Sequence, residues 1–175
     1  MTRIKLFATF TLLLASATIG YALPTDSQQP INVQADSADL DNNKGILVYR
    51  GNVIITQGSM KVLGHTVTIT RNKDGEIEMM TSQGNPAYYE QKPSADDPVV
   101  KSYARTIQYQ VTKKLVILID NAKVVQNNNV FTGDKIVYDT SRKLISAGNK
   151  RSGSVGTKPG RINVVLEPEK KKGTK

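Results

Sequence analysis

From Ile31 onward, apolar and polar residues alternate in short runs. Ile31 and Val33 alternate with Asn32 and Gln34, and 52-NVIITQ-57, 66-TVTIT-70, 103-YARTIQYQV-111, 122-AKVVQ-126 and 130-VFTGDKIVYD-139 keep the same period of two. That period marks strands with one covered face, whereas a helix repeats its apolar positions every three or four residues. Between the runs stand 41-DNNKG-45, 57-QGS-59, 72-NKDG-75, 84-GNP-86, 126-QNNN-129, 148-GN-149 and 158-KPG-160. These are rich in residues that turn a chain. The pattern predicts an all-β protein of many short strands. The best helical candidate, 34-QADSADLD-41, has a weak period and sits between strand signals. The runs 46-ILVY-49 and 115-LVILI-119 are apolar on both faces, which predicts strands covered on one side and lining an interior on the other.

The stretch 51-GNVIITQGSMKVLGHTVTIT-70 has an echo in 120-DNAKVVQNNNVFTGDKIVYD-139. At a constant offset of 69, Ala35 falls on Ala104, Lys44 on Lys113, Asn52 on Asn121, Gln57 on Gln126 and Gly64 on Gly133. Apolar positions coincide too: Ile46 with Leu115, Val48 with Ile117, Ile55 with Val124, Val62 with Phe131, Val67 with Ile136 and Ile69 with Tyr138. No gap is needed over 35–70 and 104–139. One strand–turn–strand unit cannot bury its own apolar face, but two together can. A closed barrel, a β-sandwich or jelly roll, and a roll with two open ends all satisfy that condition.

Residues 1–22 stand apart from this pattern. Arg3 and Lys5 precede the apolar run 6-LFATFTLLLASATIG-20, and Gly20-Tyr21-Ala22 offers small residues where a signal peptidase reads. The run is short of the about 20 residues that a spanning helix needs. It predicts a signal peptide cut after Ala22, with Ala17 as the second choice, and hence an exported protein. Residues 23–30 form a polar lead-in, 31–167 one domain, and 168–175 a basic disordered tail. The chain carries a net charge of +9 and no cysteine, so the fold stands on packing alone. Outside the cytoplasm, a basic protein meets anionic lipid headgroups and glycolipid phosphates. Nucleic acid is a poor partner there, and no exposed aromatics interleave with arginine to stack on bases.

Catalytic chemistry finds no foothold. The single histidine, His65, has Asp134 as its repeat partner, which predicts a surface position at a strand end. One histidine and no cysteine exclude the common zinc sites. The acidic runs 36-DSADLD-41 and 96-DD-97 lack the ligand spacing of a calcium loop and suit turns instead. Ser59, Ser82 and Ser102 have no nucleophile-elbow context, and 58-GSMKVLG-64 is not a phosphate loop. The expectation is a protein that is no enzyme and takes no cofactor and no metal. An unclosed sheet, by contrast, exposes unpaired edges. The edge candidates are the first strand (Ile31, Asn32, Val33, Gln34) and the last (Arg161, Ile162, Asn163, Val164, Val165, Leu166, to residue 167). Either edge suits β-augmentation by another chain.

The run 30-PINVQADSADLDNNKGILVYRGNVIITQGSMKVLGHTVTITR-71 resembles the LptA-type lipopolysaccharide transport proteins, the OstA-like family. The opening 30-PINVQAD-36, the central 51-GNVIITQG-58 and the later 120-DNA-122 with 133-GDKIVY-138 carry the resemblance. Asp120 stands where the first copy has Gly51. The resemblance implies an open antiparallel β-jelly roll of about sixteen short strands, V-shaped in section. It implies a periplasmic bridge that receives lipopolysaccharide from an inner-membrane complex whose periplasmic domain shares the fold. The same bridge delivers to the N-terminal domain of an outer-membrane translocon, with copies self-associating head to tail. Acyl chains would lie in an apolar groove. The groove candidates are Ile31, Val33, Leu40, Leu47, Tyr49, Ile55, Val62, Val67, Ile69, Tyr109, Val116, Leu118, Val124, Phe131 and Ile136, with Arg71 as a phosphate contact. A competing expectation is a chaperone-like module that binds strands of outer-membrane proteins by its open edge.

Overall fold

A computed structural model describes residues 26–148 and 161–166. The expected signal peptide and basic tail lie outside the described residues. After a 3-10 turn at Asp26–Gln28 come ten strands: β1 (Asn32–Gln34), β2 (Ser37–Asp41), β3 (Ile46–Gln57), β4 (Met60–Arg71), β5 (Ile77–Gln91), β6 (Val100–Gln110), β7 (Leu115–Gln126), β8 (Asn129–Asp139), β9 (Leu144–Ala147) and β10 (Asn163–Val165). They form one antiparallel sheet in the order β1-β3-β4-β5-β6-β7-β8-β10, with β2 also on β3 and β9 also on β8. The weak helical candidate at 34–41 becomes β2. Each strand from β3 to β8 pairs with its neighbour in sequence, so short turns suffice.

Among the described residues the strands number ten, and six of them are long and bent. The register slips between Arg50 and Val53, Leu63 and Thr66, Gln83 and Ala87, Tyr103 and Thr106, and Ile119 and Ala122. These slips lie on neighbouring strands at the same height and make a continuous crease. On one side of it lie β1, β10 and the ladder positions 53–64, 87–104 and 122–133. On the other lie β2, β9 and the remaining segments. Slips of this kind sharpen twist and bend a strand. The two half-sheets fold toward each other as an open β-jelly roll, V-shaped in section.

The bend has a backbone cause that echoes the sequence. Gly51 and Asn52 have φ of 76° and 45°, and Asp120 and Asn121 have φ of 63° and 56°. The same offset relates Gly45 to Lys114 and Gly58 to Asn127, all with positive φ. Glycine enters the left-handed region without penalty, and Asn and Asp tolerate it best among the rest. Asp120 in place of the glycine therefore keeps the conformation. Asp36 braces the first bend. Its backbone N–H lies 3.1 Å from the carbonyls of Arg50 and Gly51, and its carboxylate accepts from Asn52 Nδ2 at 3.1 Å. His65 and Asp134 are exposed as expected, but they sit at the crease in mid-strand rather than at a strand end.

Candidate functional site: an apolar trough

The inner faces of the half-sheets meet in one core that includes Val53, Ile55, Val62, Val67, Met80, Tyr89, Val100, Ile107, Val116, Leu118, Val124, Ile136 and Tyr138. The crease reverses alternation in several strands. β4 points Met60 and Val62 inward before it and Val67 and Ile69 after it, and β6 changes from Val100 and Ala104 to Ile107. β3 and β7 keep their parity because two left-handed residues absorb the bend. Tyr89 and Tyr109, from opposite half-sheets, place their ring centroids 5.9 Å apart and join the walls.

Toward the free ends of the strands the walls separate into a cleft of about 1050 Å³. Ile31, Met60, Ile77, Met80, Tyr109 and Val111 supply its apolar lining. Asp26 closes one corner. Its carboxylate accepts from Ser59 N at 2.7 Å, Ser59 Oγ at 2.6 Å and Gln91 Nε2 at 2.9 Å, while Gln91 Oε1 accepts from Tyr89 Oη at 2.7 Å. The 3-10 turn is thereby tied to the ends of three strands. At the far rim Asp139 organises the turn after β8, accepting from Ser141 N, Ser141 Oγ, Arg142 N and Arg142 Nε at 2.7–3.1 Å. Those hydrogen bonds hold its carboxyl well below the usual carboxylate range.

The interior is hostile to charge. Burial pushes Tyr89 well above its ordinary pKa, with Tyr109 and Tyr138 adding to the effect. Tyr138 is pushed up to about 12, first by burial and then by Asp97 and Asp139. Among the described residues its hydroxyl and that of Ser102 meet no hydrogen-bond partner. Among the described residues no group of His, Asp and Glu is placed to hold a metal ion.

The expected groove residues divide into three groups. Ile55, Val62, Val67, Ile69, Val116, Leu118, Val124 and Ile136 are buried in the core between the walls. Ile31, Val33, Leu47, Tyr49, Tyr109 and Phe131 are partly buried against it. Leu40 departs from the expectation of an interior position: it is 57% exposed. It pairs with Leu47 on the inner side, but among the described residues β2 is an edge with no strand beyond it. Arg71 ends β4 exposed, its backbone N–H donating to Gly45 O at 2.8 Å. Ile31 precedes the first strand and does not belong to it; Asn32, Val33 and Gln34 pair with β3. At the other edge Asn163, Val164 and Val165 pair with β8, while Arg161, Ile162 and Leu166 flank the strand. Ile162, Val164, Val165 and Leu166 are all exposed. The middle strands β5 and β6 add Met80, Tyr89, Val100 and Ile107, which the repeat alone did not single out.

The LptA/(LptD N-terminal domain) LPS transport protein family matches residues 32–144. The chain is 53% identical over 155 residues to the lipopolysaccharide export system protein LptH of Pseudomonas aeruginosa, covering 89% of each. It is 31% identical over 147 residues to the lipopolysaccharide export system protein LptA of Escherichia coli K12, covering 83% of this chain and 78% of that one. The crystal structure of Pseudomonas aeruginosa LptH, the LptA homologous periplasmic component of the lipopolysaccharide transport device there, superposes with a TM-score of 0.75 over 83% of this chain and 100% of the other. With a family match over most of the sheet, and with relatives sharing both sequence and fold, the chain belongs to the LptA-type lipopolysaccharide transport proteins.

Proposed function

We propose that this protein is a periplasmic, non-enzymatic carrier. It holds the acyl chains of lipopolysaccharide in its trough and passes them from an inner-membrane complex to an outer-membrane translocon. The observation that carries this is the aliphatic interior of an unclosed sheet, opening into a cleft of about 1050 Å³ lined by Ile31, Met60, Ile77 and Met80. Each Å² of acyl surface left in water costs about 25 cal/mol, so several chains cannot cross an aqueous gap unaccompanied. A smooth wall of Val, Ile and Leu binds them without one deep minimum at which transport would stop.

Handover needs a continuous trough, and the two edges supply it. β1 and β2 bound one end, and β9 and β10 the other. An edge that accepts the opposite edge of a like domain extends the sheet and aligns the grooves. Such a head-to-tail contact does not close on itself and gives a bridge of any length. The exposed apolar residues of β10 equally suit capture of an outer-membrane protein strand, the chaperone role. The experiment is mass spectrometry of what elutes with the protein from its own envelope, together with photo-crosslinkers at Ile31, Val33 and Ile77. Lipopolysaccharide in the eluate and on the crosslinker is the expected result. Unfolded β-barrel polypeptides without lipid would sink the carrier role in favour of the chaperone.

A further inference from the structure

β5 and β6 are joined by residues 92–99, the longest strand connection described in full. Both of its roots belong to the half-sheet that carries β1. Lys92 N donates to Ser59 Oγ at 3.1 Å at one root, and Val100 is fully buried at the other. Its tip does not stay there. Asp97 Oδ2 lies 2.5 Å from Lys143 Nζ, and Lys143 belongs to the turn between β8 and β9 on the opposite half-sheet. Lys92, Pro93, Ser94 and Ala95 then face the same cleft as Ile77, Tyr109 and Lys143. The segment crosses the mouth of the trough, from the middle of the sheet toward its C-terminal end.

The two sides of this contact are built differently. The receiving side is braced: Asp139 accepts from four donors across the turn, and Lys143 sits at φ 54°. The crossing side is light. Ser94, Ala95 and Asp96 are exposed, and the tip is shaped by Asp97 N donating to Ser94 O at 3.2 Å and Ser94 Oγ donating to Asp97 Oδ2 at 2.5 Å. A segment with few buried apolar contacts opens at little cost in free energy. A half-exposed ion pair holds it only weakly. We propose that residues 92–99 are a strap across the mouth, latched by Asp97 on Lys143, and that unlatching it opens a side entrance to the trough, apart from the end-to-end path between stacked domains. The strap as a gate for lipid rests on the carrier function proposed above; the strap as a barrier to any apolar molecule does not.

The absence of cysteine makes a direct test clean. The probe is N-phenyl-1-naphthylamine, which brightens in an apolar cleft, mixed with the full chain in a stopped-flow cell. Lys143→Asp places like charges at the latch, and Asp tolerates the left-handed backbone there. It should speed dye entry roughly two- to fivefold, the range one surface ion pair supports. The exchange Asp97→Lys with Lys143→Asp should restore the slow rate. Asp97→Cys with Lys143→Cys, bridged by a bis-maleimide, should slow entry below wild type. Lys143→Gln, which removes the charge without adding repulsion, should fall between wild type and Lys143→Asp and covers the case in which the reversal misfolds. Equal entry rates in all four would overturn the strap. The same series is run with purified lipopolysaccharide. Wild type that admits the dye in a latch-dependent way but never takes up lipopolysaccharide keeps the strap and removes the carrier function.

Discussion

The crease places a sharp demand on Asn121. This residue has φ 56°, is exposed, and separates Ile119, paired with Lys135, from the buried Ala122, paired with Gly133. Its side chain adds nothing to the core, so substitutions there read the backbone alone. The left-handed conformation costs an ordinary L-residue about 1–2 kcal/mol, and least for Asn, Asp and Gly. Asn121→Ala should therefore cost about 1 kcal/mol and Asn121→Val about 2 kcal/mol, since a β-branched residue is a real outlier there. Asn121→Gly should lie within about 0.5 kcal/mol of wild type, because the relief of strain offsets the added freedom of the unfolded chain. For a domain of this size the Ala change lowers Tm by roughly 3–5 °C. Urea denaturation followed by far-ultraviolet circular dichroism measures the series, and an unchanged m value keeps the comparison within one unfolding reaction. The order Gly or Asn above Ala above Val is the expected outcome. Ala and Val as stable as Asn would refute the claim that the bend is set by left-handed residues.

Two further expectations concern the same framework. A Cβ added at Gly64 would lie 2.3 Å from Ser82 Oγ and 3.0 Å from Gln83 O, whereas at Gly133 the nearest atom is Ile162 Cγ1 at 3.8 Å. Gly64→Ala should cost about 1–3 kcal/mol and Gly133→Ala less than about 0.5 kcal/mol; equal thermal shifts would contradict the packing. The buried tyrosines make stability fall in alkali. A raised folded-state pKa contributes stability that is whole below the ordinary tyrosine value of about 10 and is lost as pH climbs toward the folded value, about 12 for Tyr138. Tyr138→Phe should flatten the alkaline limb of a pH–stability curve yet cost little at neutral pH, since the hydroxyl has no partner among the described residues to lose.

Period-two alternation and turn residues made the β class, most strand positions and the inward side of Ile55, Val67 and Leu118 legible from sequence. Alternation is a local property, so it survives wherever a strand is straight. It could not show that 46-ILVY-49 and 52-NVIITQ-57 are one strand bent at Gly51 and Asn52, because a turn signal and a mid-strand bend use the same residues. Hence segments that alternation reads as separate short strands are continuous in the described residues. The exposure of Leu40 was not legible for another reason: pairing puts it on the inner side, but exposure depends on whether a neighbour lies beyond it, and among the described residues no strand lies beyond β2. The strap left no trace in periodicity. The sequence 92-KPSADDPV-99 reads as a polar loop, and the pairing of Asp97 with Lys143 spans two distant turns that only the folded chain brings together.

The strand order has a consequence for how the chain acquires its shape. The close strand pairings join successive strands of the run from β3 to β8, with the short strands added at its edges. Between β3 and β8 no strand must wait for a far-off partner, so the entropy lost at each of those closures is that of one short connection; among the described strands only β1 and β10 reach past a neighbouring strand to pair. The sheet can zip up hairpin by hairpin in the order the chain is made or threaded through a pore, each new hairpin docking on a template already in place. Topologies dominated by neighbouring pairs fold faster than sandwiches whose sheets exchange strands. The growing front of such a zipper is an unpaired edge at every stage, and the finished molecule still carries one.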